Sequence, residues 1–229
     1  MAIKGVMFDF DGTLFFNSDL HMLATRRVFV NRGFPEPDDD TMVHRIFGRP
    51  NSTIYLENID PRGTQEDIDR FEADKETEYQ RVCLESPERL HLVEGASELL
   101  DFLSENGIPY AIATGAPRTN VEFYKKHLGI DRWFNDSNII FHDGSFPGKP
   151  SPDIYLITAR KLGLSPEECV VFEDGTSGIR AANGAGAGAV VAVYDPRFKS
   201  PVEDGLCVHS IHHDLTEWRE ILSDIGLLR

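Results

Sequence analysis

Hydrophobic positions along this chain follow two patterns, and the change from one to the other divides the sequence into parts. Near the start, and again after about residue 93, short apolar runs typical of buried strands alternate with amphipathic stretches of helical spacing. The predicted strands cover residues 3–8, 109–113, 139–141, 169–172 and 189–193, and the predicted helices cover 96–105, 118–127, 152–162, 178–183 and 214–225. Strands that alternate with helices predict an α/β fold in which a parallel sheet carries helices on both faces.

The stretch between these two regions has helical spacing and no strand-like run. A first helix is predicted over residues 18–32, with Ser18 or Asp19 as its N-cap, and further helices are predicted over 41–47, 53–58 and 65–84. We therefore expect two domains: an α/β core formed by residues 1–16 and 93–229, and an inserted all-helical domain formed by residues 17–92.

The composition narrows the range of partners. The chain has 229 residues, of which 41% are apolar, and a formal net charge of −15. Proteins bind nucleic-acid backbones through an excess of lysine and arginine, so we expect no nucleic-acid partner for this acidic chain. The same negative charge repels a phosphorylated ligand, so a phosphate site here needs a metal ion or lysines close to it. No apolar run approaches the ~20 residues of a membrane span, no signal peptide is visible, and the three cysteines form no CxxC pair. We expect a cytoplasmic protein with no membrane partner, as a monomer or weak homodimer.

Two carboxylates stand at the end of the first predicted strand. Asp9 and Asp11 follow the apolar run directly, are separated by one residue, and precede Gly12. Acidic side chains at the mouth of an apolar strand repel each other and lose hydration, so they need a cation, a proton or a hydrogen-bond shell. Mg²⁺ meets that need because it prefers oxygen ligands and leaves positions for water and phosphate. The pattern predicts a metal and phosphate site, the alternative being a carboxylate-rich turn closed by Gly12.

Two further predicted strands end in polar groups. Thr114 follows the strand at 109–113, with the amides of Gly115 and Ala116 next to it, and Glu173 and Asp174 follow the strand at 169–172. Because ligands of parallel sheets bind outside the carboxyl ends of the strands, these groups are expected to meet the first pair of acids. A bound divalent cation is the simplest way to offset the repulsion among four carboxylates in one place.

A lysine is the candidate positive charge near the acids at the carboxyl edge of the predicted sheet. Lys149 lies between a glycine and Pro150, just before the helix predicted at 152–162, so its backbone is constrained. A loop lysine is usually a solvated charge. In this acidic protein, Lys149 is a candidate to neutralise both a nucleophile and the oxygens of an incoming phosphoryl group.

These groups occur in the order found in the haloacid dehalogenase-like hydrolases, which the chain resembles over nearly its whole length. The resemblance rests on Asp9-Phe-Asp11-Gly-Thr13, then Thr114, then Gly148-Lys-Pro-Ser-Pro-Asp-Ile-Tyr155, then Val171-Phe-Glu-Asp-Gly-Thr-Ser-Gly-Ile179. It implies a Rossmann-like core with an inserted cap, Asp9 as nucleophile and Asp11 as general acid and base. It further implies that Thr114 and Lys149 bind the phosphoryl group. The same resemblance implies that Mg²⁺ is bound by Asp9, the Asp11 carbonyl and Asp174. Glu173 would either bind the metal directly or contact the residues that do.

The helical insertion resembles the mobile cap of the subfamily that includes β-phosphoglucomutases, phosphoglycolate phosphatases and sugar phosphatases. That resemblance makes His21, Arg49, Asn51 and Lys75 candidate substrate-binding residues. Arg49 and Asn51 are alternatives for one position, which in the mutases carries an arginine for the distal phosphate. For His21 the alternative is a histidine on the solvent face of the first helix, and for Lys75 a helix-surface lysine among acidic neighbours.

Together these features predict a Mg²⁺-dependent phosphatase that hydrolyses a small phosphorylated metabolite, such as a sugar phosphate, through an aspartyl-phosphate intermediate. One alternative is a β-phosphoglucomutase-like phosphotransferase, which would share the core residues and pass the phosphoryl group to a sugar hydroxyl. The other is a binding or regulatory protein that kept the fold without turnover.

Overall fold

The structure of the protein, a computed structural model, describes residues 2–46 and 48–228. By its internal contacts the chain divides into two compact units: Met1–Phe16 together with His91–Arg229, and Asn17–Leu90. The end of the helix predicted at 41–47, Phe47, lies outside the described residues.

Within the described part of the first unit, six parallel strands form one sheet in the order β3-β2-β1-β4-β5-β6. They are β1 (Gly5–Phe8), β2 (Tyr110–Thr114), β3 (Ile139–Phe141), β4 (Cys169–Glu173), β5 (Ala189–Val193) and β6 (Ser210–His212). Successive residues of a strand point to opposite faces, and all four residues of the central strand β1 are buried, so both faces of the sheet are covered. The predicted α/β fold with a parallel sheet is confirmed.

Helices of the first unit lie between successive strands up to β5, and the last helix follows β6. They are α5 (Ala96–Glu105), α6 (Arg118–Leu128), α7 (Asp153–Leu162), α8 (Thr176–Ala185) and α9 (Trp218–Asp224). On one face, Met7 of β1 and Val171 of β4 pack with Ile154 and Tyr155 of α7 and Ile179 of α8 in a single buried cluster. This packing holds α7 and α8 close behind the carboxyl ends of the central strands.

The regular secondary structure described in the second unit is all helical. It contains α1 (Ser18–Asn31), α2 (Asp39–Thr41), a π-helix (Met42–Ile46), α3 (Asn51–Asn58), α4 (Gln65–Glu85) and a 3₁₀ turn (Pro87–Arg89). Its core joins Phe29 of α1, Met42, Tyr55 of α3 and Phe71 of α4, all buried. The long helix α4 starts with a capping box in which Thr64 and Asp67 satisfy each other's backbone N–H groups.

The starts of the first and the last predicted helix were wrong. Helix α1 starts after Asn17, and not after Ser18 or Asp19; the Asn17 side chain donates to the Tyr79 hydroxyl (2.6 Å). The last helix starts at Trp218 instead of residue 214, because Asp214 accepts hydrogen bonds from the backbone and hydroxyl of Thr216 and forms a turn.

Two further differences concern whole elements. Strand β6 was not predicted, because its short Ser-Ile-His sequence gives no clear apolar alternation. The segment predicted as an α-helix over 41–47 is instead the end of α2 followed by the π-helix. Among the described residues, no helix combines the length and apolarity needed to cross a membrane.

Candidate active site

Parallel pairing brings the predicted acidic residues together at one edge of the sheet. The β1–β4 register places Phe8 beside Phe172, and the Asp9 amide donates to the Phe172 carbonyl (2.9 Å), so Asp9 and Glu173 leave the sheet side by side. Carboxylate oxygens of Asp9, Glu173 and Asp174 lie within 4.8 Å of one another. We call these three residues together with Lys149 the acid cluster.

Lys149 joins the acid cluster from the loop before α7. Its Nζ donates to Asp9 Oδ1 (2.5 Å) and to Glu173 Oε1 (2.6 Å), and its side chain is only 13% exposed. The alternative of a solvated loop lysine is therefore wrong, because the ammonium group is buried between two carboxylates. The ammonium also lies 5.2 Å from the centre of the Tyr155 ring, in reach of a cation–π contact.

Both carboxylate oxygens of Glu173 are engaged inside the protein. Oε1 accepts from Lys149 and from the Tyr155 hydroxyl (2.6 Å), and Oε2 accepts from the backbone amides of Asp174 and Gly175 (3.1 Å each). A Cβ on Gly178 would lie 1.7 Å from Glu173 Oε1, so this helix position must be glycine for the carboxylate to fit. Glu173 is thus held in a fixed orientation from several directions.

Asp174 is accommodated by the turn that follows Asp11. Gly12 has φ of +84°, and a Cβ there would lie 1.9 Å from Asp174 Oδ2. Glycine is required at this position both for its backbone conformation and for the space that Asp174 occupies. The glycine of the first motif and the second acid of the last motif are therefore adjacent in space.

The acid cluster carries more negative charge than its lysine balances. Burial raises the pKa of Asp9 from 3.8 to about 8, with the charges of Glu173 and Asp11 adding to the rise and Lys149 opposing it. Burial, together with the charge of Asp9, also raises the pKa of Asp174 well above its ordinary value. Burial alone would lower the pKa of Lys149, but the neighbouring Asp9 and Glu173 outweigh it and the pKa is raised.

This charge excess fits a hard divalent cation. Hard cations favour carboxylate and carbonyl oxygens, and Asp9 and Asp174 supply two such carboxylates in close proximity. A second positive charge beside Lys149 would keep both acids ionised, which is the state that a nucleophilic carboxylate needs. The donor set of the acid cluster therefore fits Mg²⁺.

Asp11 contacts a residue that was not among the predicted site residues. The Tyr124 hydroxyl, on α6, donates to Asp11 Oδ1 (2.5 Å). Tyr124 is 1% exposed, and nothing in its sequence position marks it, because a tyrosine on the buried face of an amphipathic helix usually belongs to the core.

Thr114 ends β2, the strand beside β1, and is buried. Its Oγ1 accepts from the Ala116 amide (3.0 Å), so in this conformation that amide closes a turn and the hydroxyl hydrogen of Thr114 remains a donor. Gly115 is exposed, with no atom within 4 Å of the position of a Cβ. The predicted phosphate-binding segment thus lies at the carboxyl edge of the sheet next to Asp9 and Asp11.

Three of the four candidate substrate-binding residues of the helical unit have contacts inside that unit. The His21 ring stacks on Tyr79 at 3.7 Å between centroids, and Lys75 pairs with Glu76 (2.8 Å) with its side chain 12% exposed. His21 is therefore packed against α4, and Lys75 pairs with one of its acidic neighbours; substrate binding by either residue stays a prediction. Arg49 lies 3.7 Å from Glu57, and Asn51 is the first residue of α3.

Comparison with known proteins identifies the class of this protein. Residues 3–186 match the family model described as haloacid dehalogenase-like hydrolase. The chain therefore belongs to the haloacid dehalogenase-like hydrolases, and the resemblance seen in its motifs is confirmed.

Named relatives narrow the comparison further. The chain is 31% identical to the phosphorylated carbohydrates phosphatase of Thermotoga maritima over 195 residues, 83% of this chain and 85% of that protein. It is 31% identical to the fructose-1-phosphate phosphatase YqaB of Escherichia coli over 186 residues, 81% of this chain and 94% of that one. Among solved structures, a family IA, variant 3 hydrolase of the same superfamily from Entamoeba histolytica superposes with a TM-score of 0.83 at 30% identity, covering 97% of this chain and 99% of that one. The prediction of a hydrolase of this family, with phosphatases among its relatives, is confirmed.

Proposed function

We propose that this protein is a Mg²⁺-dependent phosphatase that hydrolyses a small sugar phosphate through an aspartyl-phosphate intermediate. The observation that carries the proposal is the acid cluster: carboxylate oxygens of three acids lie within 4.8 Å of one another, and one buried lysine, 2.5 Å from Asp9, balances their charge only in part. A site with this charge excess is suited to bind a cation and a phosphoryl group together. The relatives that act on phosphorylated carbohydrates and on fructose 1-phosphate support a sugar phosphate as substrate.

The reaction consists of two transfers at phosphorus. In the first, an Asp9 oxygen bonds to phosphorus as the ester oxygen–phosphorus bond breaks, and Asp11 gives its proton to the departing alcohol. In the second, a water oxygen bonds to phosphorus, the bond between Asp9 and phosphorus breaks, and Asp11 takes the proton of that water. Inorganic phosphate leaves, and Asp9 and Asp11 regain their starting states.

The other core residues bind and orient. Lys149 holds Asp9 and offers its remaining donor capacity to phosphoryl oxygens, and the Thr114 hydroxyl donates to the same group. Asp9, Asp174 and the Asp11 carbonyl would hold Mg²⁺, which supplies positive charge opposite the phosphoryl oxygens when it is bound. Because both oxygens of Glu173 are already engaged, we assign Glu173 to positioning Lys149, behind the metal ligands.

A substrate panel tests the proposal. The purified protein with MgCl₂ is incubated with sugar phosphates, nucleotides and short-chain acid phosphates, and inorganic phosphate is measured. We expect the highest kcat/KM for a sugar phosphate and loss of activity with EDTA. Radiolabelled substrate should leave label on the wild-type protein after rapid quenching and none on Asp9→Asn.

The two alternatives give different results in the same assay. With β-glucose 1-phosphate and a trace of the 1,6-bisphosphate, formation of glucose 6-phosphate in place of free phosphate would indicate a mutase. No product from any ester, with Mg²⁺ bound, would indicate a binding protein. The assignment of His21, Arg49, Asn51 and Lys75 to substrate choice stays a prediction, and alanine variants screened on the same panel would test it.

A further inference from the structure

The strongest unassigned feature of the α/β unit is the hydroxyl group of Tyr124. A phenylalanine would fill the same buried space on α6, since the tyrosine ring is surrounded by aromatic side chains. A buried hydroxyl lowers stability unless it is hydrogen-bonded, and this one donates to Asp11 Oδ1 at 2.5 Å. The phenol therefore has a polar contact with the group to which the proposed reaction assigns both proton transfers.

The ring that carries this hydroxyl is held on two sides by the same loop. It stacks on Phe10 with centroids 4.5 Å apart and planes at 23°, and it meets Phe15 edge-on at 6.0 Å and 74°. Phe10 and Phe15 flank Asp11 in sequence, so the ring and the carboxylate belong to one packed assembly. The aromatic contacts hold the ring and therefore the position of its hydroxyl group.

The loop itself is closed by its own backbone. The Phe10 carbonyl accepts from the amides of Thr13, Leu14 and Phe15 at 3.0 to 3.2 Å, and the Gly12 amide donates to the Phe15 carbonyl (2.8 Å). The Asp11 backbone is thereby held, so the orientation of its carboxyl group is set by its side-chain torsions. A hydrogen bond from a rigid phenol restricts those torsions.

We infer that Tyr124 is a positioning residue that holds the Asp11 carboxyl group in the orientation needed to protonate the leaving alcohol. The inference rests on the proposed function, because it needs Asp11 to be the general acid. Tyr124 acts through Asp11 and takes no part in bonding to phosphorus. A general acid raises the rate only when its proton points at the leaving oxygen. Holding the Asp11 carboxyl group in that orientation should therefore supply much of the rate increase that general acid catalysis gives.

The test compares two esters that differ in their need for a proton. A sugar phosphate releases an alkoxide unless its oxygen is protonated, whereas p-nitrophenyl phosphate releases a stable phenolate. The measured quantity is kcat/KM, which covers the steps up to alcohol release and excludes hydrolysis of the intermediate. Tyr124→Phe keeps the ring packing and removes the hydroxyl.

We expect Tyr124→Phe to lower kcat/KM for the sugar phosphate about 10- to 100-fold and for p-nitrophenyl phosphate less than about 3-fold. Tyr110→Phe is the matched control, because the Tyr110 hydroxyl also donates a partly buried hydrogen bond, to the Trp133 carbonyl (3.0 Å). That variant should leave the ratio of the two kcat/KM values unchanged. A crystal structure of Tyr124→Phe should show Asp11 in altered or multiple side-chain conformations, with Asp9 and Lys149 in place.

The outcomes separate the inference from the proposed function. An equal fall for both esters would mean a structural role for Tyr124, and unchanged or improved sugar phosphate hydrolysis would mean that the phenol is not needed for proton transfer; either result overturns the inference alone. A wild-type protein that hydrolyses neither ester would overturn the proposed function and this inference with it.

Discussion

Two groups of charged side chains in this molecule both pair cations with carboxylates but differ in charge balance and burial. In the helical unit, Arg27 of α1 and Glu78, Arg81 and Glu85 of α4 form a network with equal numbers of both signs, at N–O distances of 2.6 to 3.4 Å. We call it the Arg/Glu network. Three of its members are from 33% to 56% exposed. In the α/β unit, the acid cluster has three carboxylates, of which Asp9 and Glu173 are buried and Asp174 is partly buried, and one ammonium group between Asp9 and Glu173.

The directions of the pKa shifts show what this difference means. Hydrogen bonding to Arg27 lowers the pKa of Glu85, and hydrogen bonding to Glu85 raises the pKa of Arg27, so each partner favours the charged form of the other. In the acid cluster, burial raises the pKa of Asp9 and of Asp174, so their charged forms are disfavoured. The Arg/Glu network is complete by itself, whereas the acid cluster lacks a positive charge, as expected of a binding site.

The largest difference should appear in activity. Asp9→Asn removes the nucleophile, and we expect phosphate release to fall by at least about a thousandfold with the unfolding free energy changed by no more than about 1 kcal/mol. Glu85→Gln, the same chemical change in the Arg/Glu network, should retain full activity. Near-normal hydrolysis by Asp9→Asn would refute the assignment of the nucleophile.

The next largest difference should be in the unfolding free energy lost when a positive charge is removed from each group. In Mg²⁺-free buffer, Lys149→Met leaves buried carboxylates without their cation, and we expect the unfolding free energy to fall by about 3 kcal/mol in urea titrations. Arg81→Met removes an arginine that is 56% exposed, and should cost less than about 1 kcal/mol. Similar losses in both variants would mean that the acid cluster is no more tightly coupled than the surface network.

Mg²⁺ should stabilise the wild-type protein through the acid cluster. At a hundred times its dissociation constant, a bound ligand adds about 2.7 kcal/mol, or about 5 to 10 °C in the thermal unfolding midpoint for a chain of this size. Asp174→Asn should lose most of this shift, and Glu85→Gln should retain it. An equal shift in wild type and Asp174→Asn would place the bound ion elsewhere.

The smallest effect concerns the pH dependence of the Arg/Glu network. The folded protein lowers the pKa of Glu85 below its ordinary value of 4.5, mainly through the hydrogen bond from Arg27. A lowered carboxyl pKa contributes stability above pH 4.5 that is lost as the pH falls through the folded-state pKa. Wild type should therefore be slightly more stable than Glu85→Gln at pH 7 and indistinguishable from it in strong acid, by urea unfolding. A difference that persists in acid would mean that Glu85 acts through packing and not through charge.

Part of this site could be predicted because it depends on local pattern and one topological rule. An apolar run followed by Asp9, and another followed by Glu173 and Asp174, identify two strand ends, and parallel pairing brings such ends to the same edge. Lys149 was harder, since a loop lysine is solvated in most sequences, and only its contacts with Asp9 and Glu173 show that it is buried.

Hydrophobic periodicity and strand ends are local properties of a chain, so the sequence was enough to predict most of the elements, the parallel sheet and the acids at its edge, but not strand β6 or the π-helix. The tertiary structure alone decided which side chains meet. Tyr124 reaches Asp11 across 113 positions, and Glu173 faces inward to Lys149 and Tyr155. Such contacts depend on how each helix is rotated against the sheet and on which rotamer its side chains adopt, and both follow from close packing of the whole core, which no local pattern records.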